Sequence, residues 1–158
     1  TGRLRVLLID SGYRYDVVEA VLAERWHDPH QAKNSVIELG EWVGRPDWVT
    51  ILPAFARCVR ITRDQKQAFD VVPGNFTTDA EKNLWDAYQS APASLETVSS
   101  ANGFLTAFTP IIPAITKFFE DVMVMDEDPR VRENRLGLLQ KIAALAKGVA
   151  DLSKLEGF

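Results

Sequence analysis

The chain is 158 residues long, 46% hydrophobic and 25% charged, with a formal net charge of −4. That length suits one domain large enough to bury a core, and the balance is that of an ordinary soluble globular protein. No apolar run approaches the roughly 18 residues a membrane helix needs, and the acidic total argues against a general nucleic-acid coat.

The opening Thr1-Gly2-Arg3-Leu4-Arg5 runs straight into an amphipathic segment rather than a secretory leader, and reads as the edge of a domain cut from a longer chain. The single Cys58 leaves no internal disulfide and points to a reducing compartment. Leu4, Val6, Leu7, Leu8 and Ile9 form a short first helix that ends near Ser11-Gly12, where Gly12 supplies a left-handed cap. Tyr15 to Trp26 is a second helix, with Val17, Val18, Val21 and Leu22 on one side. Asp28-Pro29 joins an N-cap to a proline at the first helical position and opens a third helix, which runs to about Val43 before the break at Gly44-Arg45. Pro46 opens a fourth helix to about Ile61, and Pro53 inside it is expected to kink or split it.

Thr62 to Phe76, containing Pro73-Gly74-Asn75, reads as a loop with room for a short strand pair. Thr77 or Thr78 caps a fifth helix, with Asp79 and Glu81 in its first turn, that ends near Ser90; Pro92 and Ser94 mark the next turn. Leu95 to Val122 is a long helical stretch interrupted at Thr109-Pro110 and Pro113, where a bend is expected. The last helix spans Pro129 to Lys147 and stops at Gly148. The expected fold is all-α, a bundle of about six to eight helices forming one domain over residues 1–158.

Charge is unevenly spread. Between Arg57 and Lys66, four basic residues face only Asp64, a local balance of +3, whereas acid gathers at Glu120-Asp121 and Asp126-Glu127-Asp128. Arg57, Arg60, Arg63 and Lys66 recur every third residue, so a helix reaching that far makes them a continuous basic ridge. Such a ridge is either a solvated face or a phosphate-contacting strip, since guanidinium forks match phosphate oxygens. A modest basic strip on an acidic protein suits selective RNA contact better than unselective coating.

His27-Asp28-Pro29-His30 places two histidines beside an aspartate, but too few further Cys or His follow to complete a zinc site, and a helix cap is the preferred reading. Trp26, Trp42, Trp48 and Trp85 are assigned to the core or to helix contacts. Phe69, Phe76 and Tyr88 flank the irregular loop, where they either pack inward or stack on unpaired bases. The sequence has no Gly-rich phosphate loop, no Gly-x-Ser-x-Gly elbow and no paired His and Cys, so no catalytic residue, metal or cofactor is assigned to it.

The most organised stretch runs from Lys117 to Lys141. Asp128 is an N-cap with Pro129 at the first helical position, and Asp126, Glu127 and Asp128 lie where the helix dipole favours carboxylates. Beyond them Val131, Leu138, Ile142 and Leu145 keep helical spacing, with Arg132 and Arg135 three apart on a flank. The string Phe118-Phe119-Glu120-Asp121-Val122-Met123-Val124-Met125, followed by Asp128-Pro129-Arg130-Val131-Arg132-Glu133-Asn134-Arg135-Leu136, resembles the C-terminal end of bacterial glycyl-tRNA synthetase beta subunits, an anticodon-binding domain of the DALR type. The Asp-Ala-Leu-Arg string behind that name is degenerate here, its positions falling on Asp128, Pro129 or Arg130, Val131 and Arg132. Val149-Ala150-Asp151-Leu152-Ser153 near the end is similar to the same family. So is Gly12-Tyr13-Arg14-Tyr15-Asp16-Val17-Val18-Glu19-Ala20-Val21-Leu22 near the start, so the resemblance covers almost the whole chain.

The resemblance implies an all-helical domain of a glycine–tRNA ligase with separate or fused alpha and beta parts. Its partners would be the tRNA(Gly) anticodon loop and the catalytic alpha subunit or domain, with no membrane or DNA. Glycine activation, with ATP and Mg²⁺, would belong to the alpha part and no cofactor to this chain. The compartment implied is the bacterial cytoplasm, with plastid or mitochondrion as alternatives. The resemblance also turns Arg57, Arg60, Arg63 and Lys66 toward phosphate contact and adds Lys117 and Arg130 as RNA candidates. Arg132 and Arg135 are candidates as well, but one of the two is expected to be structural, pairing with Glu127, Asp128 or Glu133 beside the cap. Glycine anticodons share two cytosines, whose exocyclic amines donate to carboxylates or backbone carbonyls. The competing reading is a helical docking module with no RNA role, favoured by the acidic charge and the tryptophans; salt-dependent binding of an anticodon stem-loop separates the two.

Overall fold

The computed structural model describes residues 2–91 and 100–158, and among these every regular element is helical. Helix α1 spans Gly2–Asp10, α2 Tyr15–Arg25, α3 Pro29–Val43, α4 Trp48–Thr62 and α5 Asp79–Ser90. After the undescribed residues come α6 (Ala101–Phe108), α7 (Ile112–Asp121) and α8 (Pro129–Ala143). The expected turn at Pro92 and Ser94, and the helical start at Leu95, lie outside the described residues.

The boundaries follow from local chemistry. Gly12 turns the chain out of α1 with φ +97°, a conformation that costs a Cβ-bearing residue strain. Asp28 caps α3, accepting from the Gln31 N–H at 3.1 Å, so the carboxylate between the two histidines serves a helix end. Thr78 caps α5, and Ser100 caps α6 by accepting from the Gly103 N–H at 2.9 Å. Thr109–Ile111 is a 3₁₀ turn joining α6 to α7, which is the interruption expected at Thr109-Pro110. At the end of α8 the chain tightens into another 3₁₀ turn, Ala144–Ala146, and Gly148 follows at φ +77°.

Three sequence expectations need correction. The fourth helix starts at Trp48 rather than Pro46, and of the two outcomes expected at Pro53, a kink or a split, the split does not occur. Pro53 is exposed, so the helical acceptor it leaves without an N–H lies on the solvent side, where water can replace the missing bond. Trp26 is 57% exposed rather than packed, because it falls one residue past α2, beyond the buried stripe, with His27 against its ring edge. Trp42 and Trp48 are buried and Trp85 is half-buried, as expected of core and contact positions.

In the packed structure α2 lies against α3, α4 along α8, and α5 against α7. Phe55 on α4 meets Phe104 and Phe108 on α6 edge to face, both at 5.3 Å between ring centres, the arrangement aromatic quadrupoles favour. Asp16 at the head of α2 accepts from the Glu156 N–H at 3.0 Å and from both forks of Arg14, which fastens the C-terminal end of the chain to the N-terminal motif. Burial acts to raise the Asp16 pKa, but the hydrogen bonds from Glu156, Arg14 and Val17 and the Arg14 charge prevail and hold it below the usual value.

The residues after α4 form no strand. The backbone of this segment lies on α8, and that helix supplies its partners: the Asn134 amide accepts from the Val72 N–H at 2.7 Å and donates to the Val72 carbonyl at 3.1 Å. Two turns on, the Gln140 amide accepts from the Phe69 N–H at 2.9 Å and donates to the Gln67 carbonyl at 3.0 Å. A strand pair is unnecessary once these groups are satisfied by side chains. Gly137 lies midway between the two amides, and a Cβ there would stand 2.6 Å from the Phe69 carbonyl oxygen.

Asp128 caps α8 by accepting from the Arg130 N–H at 3.0 Å. Asp128→Ala is expected to cost about 0.5–2 kcal/mol, read as a lowered urea midpoint at unchanged slope. An unmoved midpoint would show that the cap contributes nothing here.

Candidate nucleic-acid interface

Helix α4 carries Arg57 and Arg60 on an exposed face, and Arg63 is its C-cap. The helix stops at Thr62, whose hydroxyl donates back to the Cys58 carbonyl at 2.6 Å while the chain turns away toward α8. Lys66 therefore sits in the following loop, and the continuous four-residue helical ridge is corrected to a helical pair, a cap and a loop residue. The Arg57 guanidinium lies over the Phe119 ring at 4.1 Å, and that of Arg60 over Phe158 at 5.4 Å. Stacking on an aromatic face limits the motion of a guanidinium yet leaves its N–H edges for an anion. Among the described residues, none of Arg57, Arg60, Arg63 and Lys66 makes an ion pair.

The remaining candidates divide sharply. Arg135 is 5% exposed: it donates to the Met123 carbonyl at 2.6 Å and to Thr77 Oγ1 at 3.1 Å, and pairs with the fully buried Glu81 at 3.1 Å. Of the two arginines it is the one whose guanidinium contacts are all made within the protein core. The partners are not the expected Glu127, Asp128 or Glu133 but Glu81, from α5, and Asp126 at 3.6 Å. Arg132 is half-buried and donates to the Asp126 carbonyl at 3.1 Å, bracing the connector between α7 and α8. Lys117 is exposed but paired with Asp121 one turn on, at 3.2 Å.

Arg130 is 81% exposed in its side chain, with a loose pair to Asp128 at 3.7 Å. It borders a hollow shared with Asn75 and Phe76. Phe76 meets Trp85 edge to face at 6.3 Å, and Trp85 stacks on Tyr88 at 5.9 Å, so these half-buried aromatics form one group near Arg130. Phe69 stands apart, against α8. Apart from Lys117, which is paired on α7, the exposed basic candidates thus fall in two places, one at α4 and the loop that follows it and one, Arg130, at the start of α8.

A cleft of about 340 Å³ opens beside the first patch, between the last turns of α4 and α8. Arg63 and Lys147 line it together with the carboxylates Glu24 and Asp151. Sequence reading missed the cleft: Glu24 lies more than a hundred residues from Lys147 and Asp151, and Asp151 was noted only as part of the Val149–Ser153 string. It also missed Glu81, Asn134, Gly137 and Gln140. For the last three a signal was present, polar and small residues every third position along an otherwise apolar helix face.

The family model described as the DALR anticodon binding domain matches residues 51–153, from within α4 to Ser153. The chain belongs to the DALR anticodon-binding domain family. Relatives of this DALR domain extend the match to its full length. It is 37% identical over 160 residues to a chloroplastic/mitochondrial glycine–tRNA ligase of Arabidopsis thaliana, covering 100% of the chain and 15% of the relative. It is 38% identical over 161 residues to a glycine–tRNA ligase beta subunit of Myxococcus xanthus, covering 98% of the chain and 23% of the relative. A Geotalea uraniireducens beta subunit is 35% identical over 157 residues, with coverage of 98% and 23%. The DALR domain therefore spans less than a quarter of the curated relatives it matches, which come from bacteria and a plant organelle. No helix among its described residues is long and apolar enough to cross a membrane.

Proposed function

We propose that this DALR domain binds the anticodon loop of a glycine tRNA on behalf of a glycine–tRNA ligase. The observation that carries the reading is the α4 patch: two arginines held over aromatic rings, followed by Arg63 and Lys66, all without acidic partners among the described residues. Arg130 and the Phe76 group supply a second contact, phosphate and base stacking respectively. Lys117 and Arg132 are weaker contributors, since each already has an intramolecular partner.

Glycine activation, with its ATP and Mg²⁺, is assigned to the alpha subunit or domain, and this domain adds binding energy and tRNA identity. The bacterial source of some relatives and the chloroplastic/mitochondrial name of another support a bacterial cell or an organelle as its place of work, with the bacterial cytoplasm as our first choice. A second reading, a docking module for other parts of the ligase, is favoured by Val6 and Leu7, 56% and 59% exposed on α1.

Changing Arg57, Arg60 and Arg63 together to alanine should weaken a glycine anticodon stem-loop complex by about 1–3 kcal/mol and flatten its salt dependence, because fewer counterions are released. Titrations at several salt concentrations read both effects. Full affinity in a folded triple variant would return the strip to a solvated face.

A further inference from the structure

We propose that the cleft between the C-terminal turns of α4 and α8 is a nucleobase pocket that takes one unstacked cytosine of the bound RNA. The inference rests on the anticodon-binding reading above and assigns that reading its base-selective residues. The cleft, about 340 Å³, has aliphatic walls that include Val59, Ala143 and Ala150. Such walls suit the flat faces of a base.

Its polar groups are sorted by sign. Two helices end on it, α4 at Val59 and Thr62 and α8 at Gln140 and Ala143, and bring the negative ends of their dipoles, although the carbonyls of Val59, Thr62 and Gln140 already accept from the Arg63, Gln65 and Ala144 N–H groups. Two carboxylates reinforce this. Glu24 is half-buried and makes no hydrogen bond or ion pair with another described side chain. Asp151 uses Oδ1 to accept from the Ser153 N–H and hydroxyl, at 3.0 and 2.6 Å, which leaves Oδ2.

The cations of the same cleft, Arg63 and Lys147, are both exposed, and Arg63 is also the end of the α4 strip. An acceptor-rich interior with a cationic edge matches a ligand that carries an amine inside and phosphate outside. Cytosine presents an exocyclic amine, whereas uracil presents a carbonyl oxygen at the same position, which would face Glu24 and Asp151. The second hydrogen of the Gln140 amide nitrogen, whose first is taken by Gln67, is available to a ring acceptor of the base. A backbone tracked by Arg57 and Arg60 would be delivered to the pocket by Arg63.

The test titrates the chain with a glycine anticodon stem-loop and with stem-loops in which each anticodon cytosine is replaced by uracil. One replacement should weaken binding by about tenfold or more, in the range of a good base contact. Glu24→Gln should shrink that ratio to about threefold or less while the salt slope stays, because the neutral amide donates to the uracil oxygen. Ala143→Leu, which fills the cleft, should remove the discrimination in the same way. A wild-type chain that binds and discriminates, with both variants keeping its ratio, would overturn the pocket and leave the anticodon-binding reading standing. Binding without discrimination would also overturn the pocket alone. Failure to bind any stem-loop would bring down both.

Discussion

Arg135→Ala should destabilise the domain by about 3–5 kcal/mol, because it strands a buried carboxylate without its counter-charge. The Arg135 side chain is 6% exposed and that of Glu81 0%, and they meet at 3.1 Å. Glu81 Oε1 also accepts from the hydroxyls of Thr77 and Thr78, both at 3.0 Å, so the same carboxylate holds the cap of α5. Arg135 Nη1 donates to the Met123 carbonyl and so fixes the connector that delivers α8. One guanidinium thus ties together the start of α5, the α7–α8 connector and α8. Urea melts read the loss; a variant with both Glu81 and Arg135 replaced by apolar residues should recover part of it, as expected when both charges are removed rather than one. A single variant as stable as wild type would mean that the pair is dispensable.

The second large effect has a sign that helix propensity gets wrong. In a solvent-exposed helix, Gly→Ala gains about 1 kcal/mol. At Gly137 the added Cβ would stand 2.6 Å from backbone oxygen of Phe69, which has no flexible end to move aside. Gly137→Ala should instead destabilise by about 1–3 kcal/mol, the usual range for overpacking. The segment after α4 that lies on α8 should also loosen, so the Phe69 and Val72 amides, held by Gln140 and Asn134, should exchange hydrogen faster. A stabilised Gly137→Ala variant would contradict the close approach of that segment and the helix.

These two positions show what the sequence displayed and what it withheld. Helix ends were legible because their signals are local: Gly12, Asp28-Pro29, Thr78 and Asp128-Pro129 each act within one turn. The destination of residues 63–76 was not, because Asn134 and Gln140 lie more than sixty positions along the chain from the backbone they hold. Arg135 illustrates the same limit. Its spacing from Arg132 placed it on a flank, but only the packing of α5 against α8 decides that it meets Glu81 rather than solvent. The α4 strip was legible as charge, while its seating on Phe119 and Phe158 depends on two distant segments.

The most direct measurement is a binding titration of the wild-type chain against a glycine anticodon stem-loop and a stem-loop of equal length and charge with an unrelated anticodon. Tighter binding of the glycine loop, with an affinity that falls linearly in log salt, is the predicted result. Equal and feeble binding of both loops at low salt would contradict it and leave the domain as a docking module.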